Sequence, residues 1–584
     1  MSKCSKKSRN RQVISLILVF TVLMSVILSG CHGQSAEIQN KKFRKFTETL
    51  FCQEVSSNAV SLHYTLKNPD QYGITDSPVT FGYFSTDPGE RKITTENTQA
   101  ALKRFSYQKL SKQNQLTYDV LNYYLELSKK ESEYLLYEEP MGTVSGVQTQ
   151  IPVLLSEYQF QTKTDVDAYL ELMKTTPEYF NSLIAFEQEK AQKGLFMANY
   201  IADTVIEQCQ AFLDMGNSNY LISTFVDRIQ KLTDLSEEEK SDYIQKNAYM
   251  LQTYVLPAYQ QLIKTVVELK ESGKNEGGLC YLPNGKEYYA LTVQASTGSA
   301  RTVPELQKMT RQQIEDDLAS MKAVVGLTSD QAKETAVMDS SDPKEILNSL
   351  NMDIQKTFPE LPQTSVEVKY VPEAMEAHLS PAFYMIPALD DTKENVIYVN
   401  KAHMNNKLTL YTTLAHEGYP GHLYQTVYYA STNPDPLRSI FNFGGYVEGW
   451  ATYAEMGSYY LADSLTREEA ILLQKNSSIL LALYALADMG IHYDGWNRMD
   501  TVKFFKQYSV GSAEIVNQIY DLIIGSPGNY LKYYIGYVEF LELKKKWVEQ
   551  KGAEFSQKEF HKAVLDVGPA PFEIVEKYMW QGES

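Results

Sequence analysis

Cysteine is scarce in this chain, and what there is does not form a framework. Cys4, Cys31, Cys52, Cys209 and Cys280 lie far apart, without a CxxC pair of the kind that clips a metal. Setting aside Cys4 and Cys31 at the N-terminus leaves three, which cannot all pair within the chain, so no disulfide scaffold is implied. Positive charge is also in deficit, with 55 Lys and Arg against 72 Asp and Glu and a formal net charge of -17. Nucleic-acid binding depends on neutralising phosphates with Lys and Arg, so this balance excludes it as a partner. Fixed-period repeats and low-complexity tracts are absent. Histidine is rare as well, eight in 584 residues, so two of them close together call for a reason.

What is present begins with an export signal. Lys3, Lys6, Lys7, Arg9 and Arg11 form a basic start, and a mostly apolar run follows from Val13 to Leu28. That run is short beside the ~20 apolar residues of a spanning helix. It leads into Leu28-Ser29-Gly30-Cys31, so residues 1–30 are expected to be a lipoprotein signal peptide and Cys31 the lipidated residue. Loss of five basic and no acidic residues takes the charge from -17 to about -22. A soluble body is expected outside a bacterial membrane, touching it only through lipidated Cys31.

The rest reads as mostly α, a large helical fold with a small antiparallel sheet. Apolar positions three and four apart predict helices over 42–66 and 111–131. Capping pairs mark further starts at Thr164 with Asp167, Ser236 with Glu239 and Thr302 with Glu305, and Pro257 predicts a kink. Alternation of period two over 364–371 and 395–400, with 381–387 between prolines, predicts the sheet. The Gly- and Asn-rich stretch 271–286 marks the expected boundary. It follows a tether over 31–41 and an N-terminal helical lobe over 42–275, and it opens a C-terminal catalytic lobe over 276–584.

In that second lobe stands Ala415-His416-Glu417-Gly418-Tyr419-Pro420-Gly421-His422, next to the predicted sheet and at the end of a helix capped by Asn405 or Asn406. Two histidines holding one metal on a regular helix sit four residues apart, and these sit six apart. On an undistorted helix that offset turns about 600° and rises about 9 Å, too far for a shared ion. Pro420 cannot donate to the carbonyl of His416, and Gly418 and Gly421 relax the backbone, so a widened turn is expected to bring His422 back beside His416. Downstream, Glu448-Gly449-Trp450-Ala451-Thr452-Tyr453-Ala454-Glu455 predicts a helix with both carboxylates on one face, among neighbours too apolar for a solvated surface. Glu448 is the expected third ligand of a His2Glu site, and Glu455 the carboxylate that orients a ligand from behind.

These motifs together resemble the bacterial family known as domain of unknown function 885. The segments Asp488–Trp496, Pro527–Gly536 and Gly568–Pro571, with 163–180 and 382–400 upstream, extend the resemblance over most of the chain. Ala382-Phe383-Tyr384 stands where an Ala-Tyr-Tyr pattern is expected. The resemblance implies a helical, gluzincin-like zinc metallopeptidase fold, as in helical carboxypeptidases and dipeptidases. On it, His416, His422 and Glu448 hold Zn2+. Glu417 accepts a proton from the attacking water and returns it to the leaving amine. His492 or Tyr533 donates to the oxyanion, and the 395–400 strand pairs with an extended short peptide. Two rival readings are a non-catalytic lipoprotein that binds a peptide or another ligand in the same cleft, and a metal hydrolase acting on other amides or esters.

Overall fold

Capping chemistry sets where the helices begin. The computed structural model describes residues 35–580, apart from Ser145, 328–339, 372–375, 377–379 and Asn405, so the signal segment and Cys31 lie outside the described residues. Ser111 opens Lys112–Glu131, Ser236 with Glu239 opens Glu237–Met250, and Thr302 with Glu305 opens Val303–Val324. One start differs from expectation. Lys163–Gln192 is boxed by Thr162 with Asp165. The predicted pair two residues on has the same spacing, but Asp167 instead accepts the Tyr243 hydroxyl at 2.7 Å.

The predicted helix over 42–66 is two helices, Ala36–Val55 and Ala59–Thr65, the second started by Asn58 accepting from the Ser61 N–H. Before Pro257 the helix opens into a wide π turn over Leu251–Val255. Proline offers no N–H to the carbonyl one turn back, and the backbone widens around the gap.

Two compact units result. The first contains the described residues up to Val55, Asp87–Glu133 and Pro434–Asn442. Within it, Thr47 donates to Asp435 at 2.6 Å and Phe43 meets Phe105 edge-on at 5.2 Å. The second contains Ser56–Thr86, Tyr134–Asn433 and the described residues from Phe443 on, and it holds the sheet and the candidate metal and catalytic residues.

The sheet has three strands, β1 (Ser365–Tyr370), β2 (Ala382–Met385) and β3 (Glu394–Val399), in the order β1-β3-β2. It is mixed rather than antiparallel: β2 runs antiparallel to β3, and β1 runs parallel to it. The last strand in sequence enters between the other two, so β2 and β3 form the return pair and β1 is left with the parallel side. Buried Asn395 ties all three together, donating to Thr364 at 2.6 Å and accepting the Tyr384 hydroxyl at 2.5 Å. Because β3 is paired on both sides, the 395–400 strand has no free edge for a peptide. The strand with an outer edge toward the histidines is β2.

Five helices carry or buttress the site: α1 (Lys407–Glu417), α2 (His422–Ser431), α3 (Gly444–Ser458), α4 (Arg467–Met489) and α5 (Asn529–Lys551). Helices α3 and α5 meet backbone to backbone. A Cβ on Gly449 would stand 2.4 Å from the Gly536 carbonyl carbon, and one on Gly536 would stand 2.0 Å from the Gly445 oxygen. Only glycine at these positions allows the approach.

Candidate metal centre

Helix α1 starts at Asn406, whose side chain accepts from the N–H groups of Leu408 and Thr409; the other candidate cap, Asn405, lies outside the described residues. Leu410, Tyr411, Leu414 and Ala415 are buried, so the helix is held firmly up to the point where the motif begins. It stops at Glu417. In place of four-residue helical bonds, the Gly421 N–H donates to the Ala415 carbonyl at 3.0 Å and the Tyr424 N–H to the Gly418 carbonyl at 3.2 Å, each spanning six residues.

The Tyr419–Pro420 peptide within this wide turn is cis. Trp450 from α3 donates to the Pro420 carbonyl at 2.9 Å and pins the turn. A Cβ on Gly421 would stand 1.7 Å from the His416 oxygen, so the turn closes only over a bare backbone. Helix α2 then restarts at His422. The rings of His416 and His422 come to 4.8 Å, nearly perpendicular at 82°.

Glu448 completes the triangle. Its Oε2 lies 3.6 Å from His416 Nε2 and 3.3 Å from His422 Nε2. Ligand atoms about 2.0–2.1 Å from a tetrahedral zinc are separated from one another by about 3.3 Å, so this donor set fits the ion. His416 Nδ1 meets Glu455 Oε2 at 3.0 Å, which fixes the ring and leaves Nε2 facing the triangle. Two carboxylates seven residues apart on α3 thus address the two nitrogens of one imidazole.

Glu417 is also close, its carboxylate, with one nitrogen from each histidine, forming a set of atoms within 4.8 Å of one another. Two carboxylates thus offer a third ligand, Glu417 and Glu448, and Glu448 Oε2 meets both Nε2 atoms directly. Glu417 Oε2 accepts the backbone N–H of Tyr384 in β2 at 2.9 Å, which holds the carboxylate beside the ligands.

The electrostatics favour a cation here. Burial alone would drive the His416 imidazole toward the neutral form, but Glu448, Glu455 and Glu417 together raise its pKa well above the ordinary value. Burial works against Glu448 too, yet the two histidines hold its carboxyl well below the usual carboxylate range. The carboxylates thus favour positive charge at this point, and a divalent ion would meet the same field.

Tyr533 on α5 reaches the same cluster. Its ring lies 6.3 Å from that of His416. Burial, with Glu448 and Glu417 close by, raises its pKa, so the phenol remains a neutral donor. Lys532, next to it, was not among the residues singled out from the sequence. Its Nζ stands 3.7 Å from Glu448 Oε1 and 5.1 Å from the centre of the Tyr533 ring. A lysine on an amphipathic helix normally marks the solvated face, and only the three-dimensional placement singles this one out.

His492 does not join the cluster. It is 1% exposed, its Nδ1 accepts the Leu279 N–H at 3.2 Å, and its Nε2 donates to the Ile523 carbonyl at 3.0 Å. With both ring nitrogens committed to backbone, it has no donor left for an oxyanion, and its role is to pack and bridge. Its neighbour Asp488 is informative instead. This buried carboxylate accepts the Tyr289 hydroxyl at 2.5 Å and the Gly528 N–H at 3.0 Å, tying α4 to the start of the helix that carries Lys532 and Tyr533.

Comparison with known proteins agrees with this architecture. The family described as bacterial protein of unknown function (DUF885) matches residues 85–579. The chain belongs to this family. Among solved structures, a "putative lipoprotein" from Colwellia psychrerythraea shares the fold with a TM-score of 0.79 at 20% identity, over 94% of this chain and 99% of that one. A second, a "putative lipoprotein of unknown function" from Shewanella oneidensis, gives a TM-score of 0.63 at 18% identity, over 94% of this chain and 100% of that one. No curated protein matches the chain. At such identities the likeness shows the fold alone.

Proposed function

We propose that this DUF885 member is a lipid-anchored, extracytoplasmic zinc peptidase that hydrolyses short peptides. The observation that carries the reading is the approach of Glu448 Oε2 to His416 Nε2 and His422 Nε2 at near tetrahedral-edge distances, with Glu417 held alongside by the Tyr384 N–H. Zinc bound by His416, His422 and Glu448 supplies Lewis acidity, which acidifies water and polarises a carbonyl.

The chain's own residues do the rest. Glu417, steadied by the Tyr384 N–H, takes one proton from the attacking water as the C–O bond forms. It delivers that proton to the amide nitrogen as the C–N bond breaks, leaving one carboxylic acid and one amine. The Tyr533 hydroxyl donates to the oxygen on which negative charge develops. A purely structural ion has no use for a carboxylate base beside its ligands, and this favours catalysis over mere binding. The names of the two structural neighbours, together with the Leu-Ser-Gly-Cys31 sequence, support attachment through Cys31.

Metal analysis of the purified protein with peptide hydrolysis on the same samples tests the proposal. Stoichiometric zinc is expected, with Glu417→Gln retaining the metal and losing hydrolysis by at least a hundredfold. A preparation that never holds metal removes the site. Hydrolysis retained in Glu417→Gln removes Glu417 from the chemistry. Zinc without hydrolysis of any peptide leaves the ligand-binding alternative.

A further inference from the structure

The environment of Lys532 bears on which peptides the site takes, and the argument rests on the zinc-peptidase reading above. Three carboxylates, Glu417, Glu448 and Glu455, crowd the two histidines, and the chain as a whole carries a formal charge of -17. A bound zinc would offset two of these three negative charges, so a second fixed cation is what would hold an anionic group at a place of its own, away from the metal. Among the described residues, Lys532 is the one lysine or arginine paired with any of the three carboxylates.

Its ammonium is 3.7 Å from Glu448 Oε1. That distance allows attraction but exceeds the ~3.2 Å limit of a good hydrogen bond, so the three N–H donors remain available to a ligand. The side chain is 28% exposed, so it is not sealed in the core. Its stem passes over Gly444, where an added Cβ would lie 3.5 Å from Lys532 Cδ. The glycine gives the stem room, and the Tyr533 ring lies under the ammonium. Glu448 turns Oε2 to the histidines and Oε1 to this lysine, so the cation borders the ligand set.

We propose that Lys532 receives the free C-terminal carboxylate of the peptide and so sets the enzyme to remove C-terminal residues one at a time. The short distance decides between one residue and several. A peptide residue spans about 3.5 Å, so with the ammonium 3.7 Å from Glu448 a substrate carboxylate on Lys532 lies about one residue from a bond placed beside that ligand. A long chain running through the site would leave the ammonium unpaired. An amidated end would forgo the charge-assisted bond, which is worth about ten- to a hundredfold in affinity.

The test is calorimetric titration of the full-length chain in detergent, carrying Glu417→Gln so that ligand survives. The probes are an N-acetyl dipeptide with a free C-terminal acid and the same peptide as its amide. The acid is expected to bind about ten- to a hundredfold more tightly than the amide. Adding Lys532→Met should abolish the preference while leaving amide affinity and zinc content unchanged, and Lys532→Arg should restore most of it. Failure of either peptide to bind, or no preference for the acid, overturns the proposal. So does a Lys532→Met protein that loses affinity for both peptides along with zinc, because Lys532 then serves only Glu448. If the acid preference depends on Lys532 but the unmutated chain hydrolyses neither peptide, the carboxylate subsite stands and the peptidase reading falls.

Discussion

The two histidine environments of the larger unit differ in every respect that governs chemistry. At His416 and His422 the ring nitrogens face carboxylates, and at His416 those carboxylates overcome burial and raise the pKa well above the ordinary value. At His492 both nitrogens are spent on the backbone of distant segments, and burial pushes the pKa down to about 4, only partly opposed by the hydrogen bond to the Ile523 carbonyl. His561 likewise has neutral partners, the Thr357 carbonyl at 2.7 Å on Nδ1 and the Tyr453 hydroxyl and Gln557 amide at 2.9 Å on Nε2, and burial pushes its pKa down to about 3. Burial is therefore not what separates the candidate ligand histidines from the core ones. The difference is the nature of the partners: anionic side chains at His416 and His422, neutral groups at His492 and His561.

The largest expected effect comes from separating the paired rings. Gly421→Ala places a Cβ against the His416 oxygen, so the wide turn must open. Zinc content is expected to fall to background by elemental analysis while far-ultraviolet circular dichroism stays helical. Zinc retained at full stoichiometry would show that the turn does not set the spacing. Next comes Glu455→Gln, which removes the charge behind His416 Nδ1 but leaves the three ligands. Metal affinity, read by competition with a chelator, should weaken about ten- to a hundredfold.

The smallest effect on the metal is expected at the contrasting histidine. His492→Gln should leave zinc content unchanged and lower stability by about 1–3 kcal/mol through an unsatisfied buried group. It should also change the pH dependence. The folded pKa of about 4 lies below the ordinary His value of about 6.5, so the folded state binds fewer protons in that window. The contribution of His492 is present above about pH 6.5 and is lost as pH falls toward 4. Unfolding midpoints across this range should fall more steeply for the unmutated chain than for His492→Gln. Equal slopes would mean that the ring titrates normally.

Much of this was legible in the sequence because it rests on local chemistry. The caps at Ser236 and Thr302 follow from side chains three residues apart, and the break at 418–421 follows from proline and glycine. The joint facing of Glu448 and Glu455 follows from helical periodicity. What was not legible depends on pairing across the fold. Thr162 and Thr164 offer equal capping signals, and the choice between them turns on Tyr243 taking Asp167. Alternation and the prolines around 381–387 predict three strands, but not that the last one enters the middle and gives up its edge. The sequence around His492 looks like motif, and only the Leu279 and Ile523 backbones show that its valences are filled. Lys532 carries no local signal, because its partner stands on another helix.

The glycine contact between α3 and α5 has a consequence for how such a site can vary. Side-chain packing can usually be tuned by adding or removing a methyl group, and the spacing between helices shifts with it. Where Gly449 and Gly536 meet there is no such adjustable layer. The distance from Glu448 on one helix to Lys532 and Tyr533 on the other is therefore a near-constant of the architecture, as in a hinge pinned without play. If the site acts as proposed, substrate preference is left to what the side chains at 532 and 533 are, because where their backbones stand is already fixed.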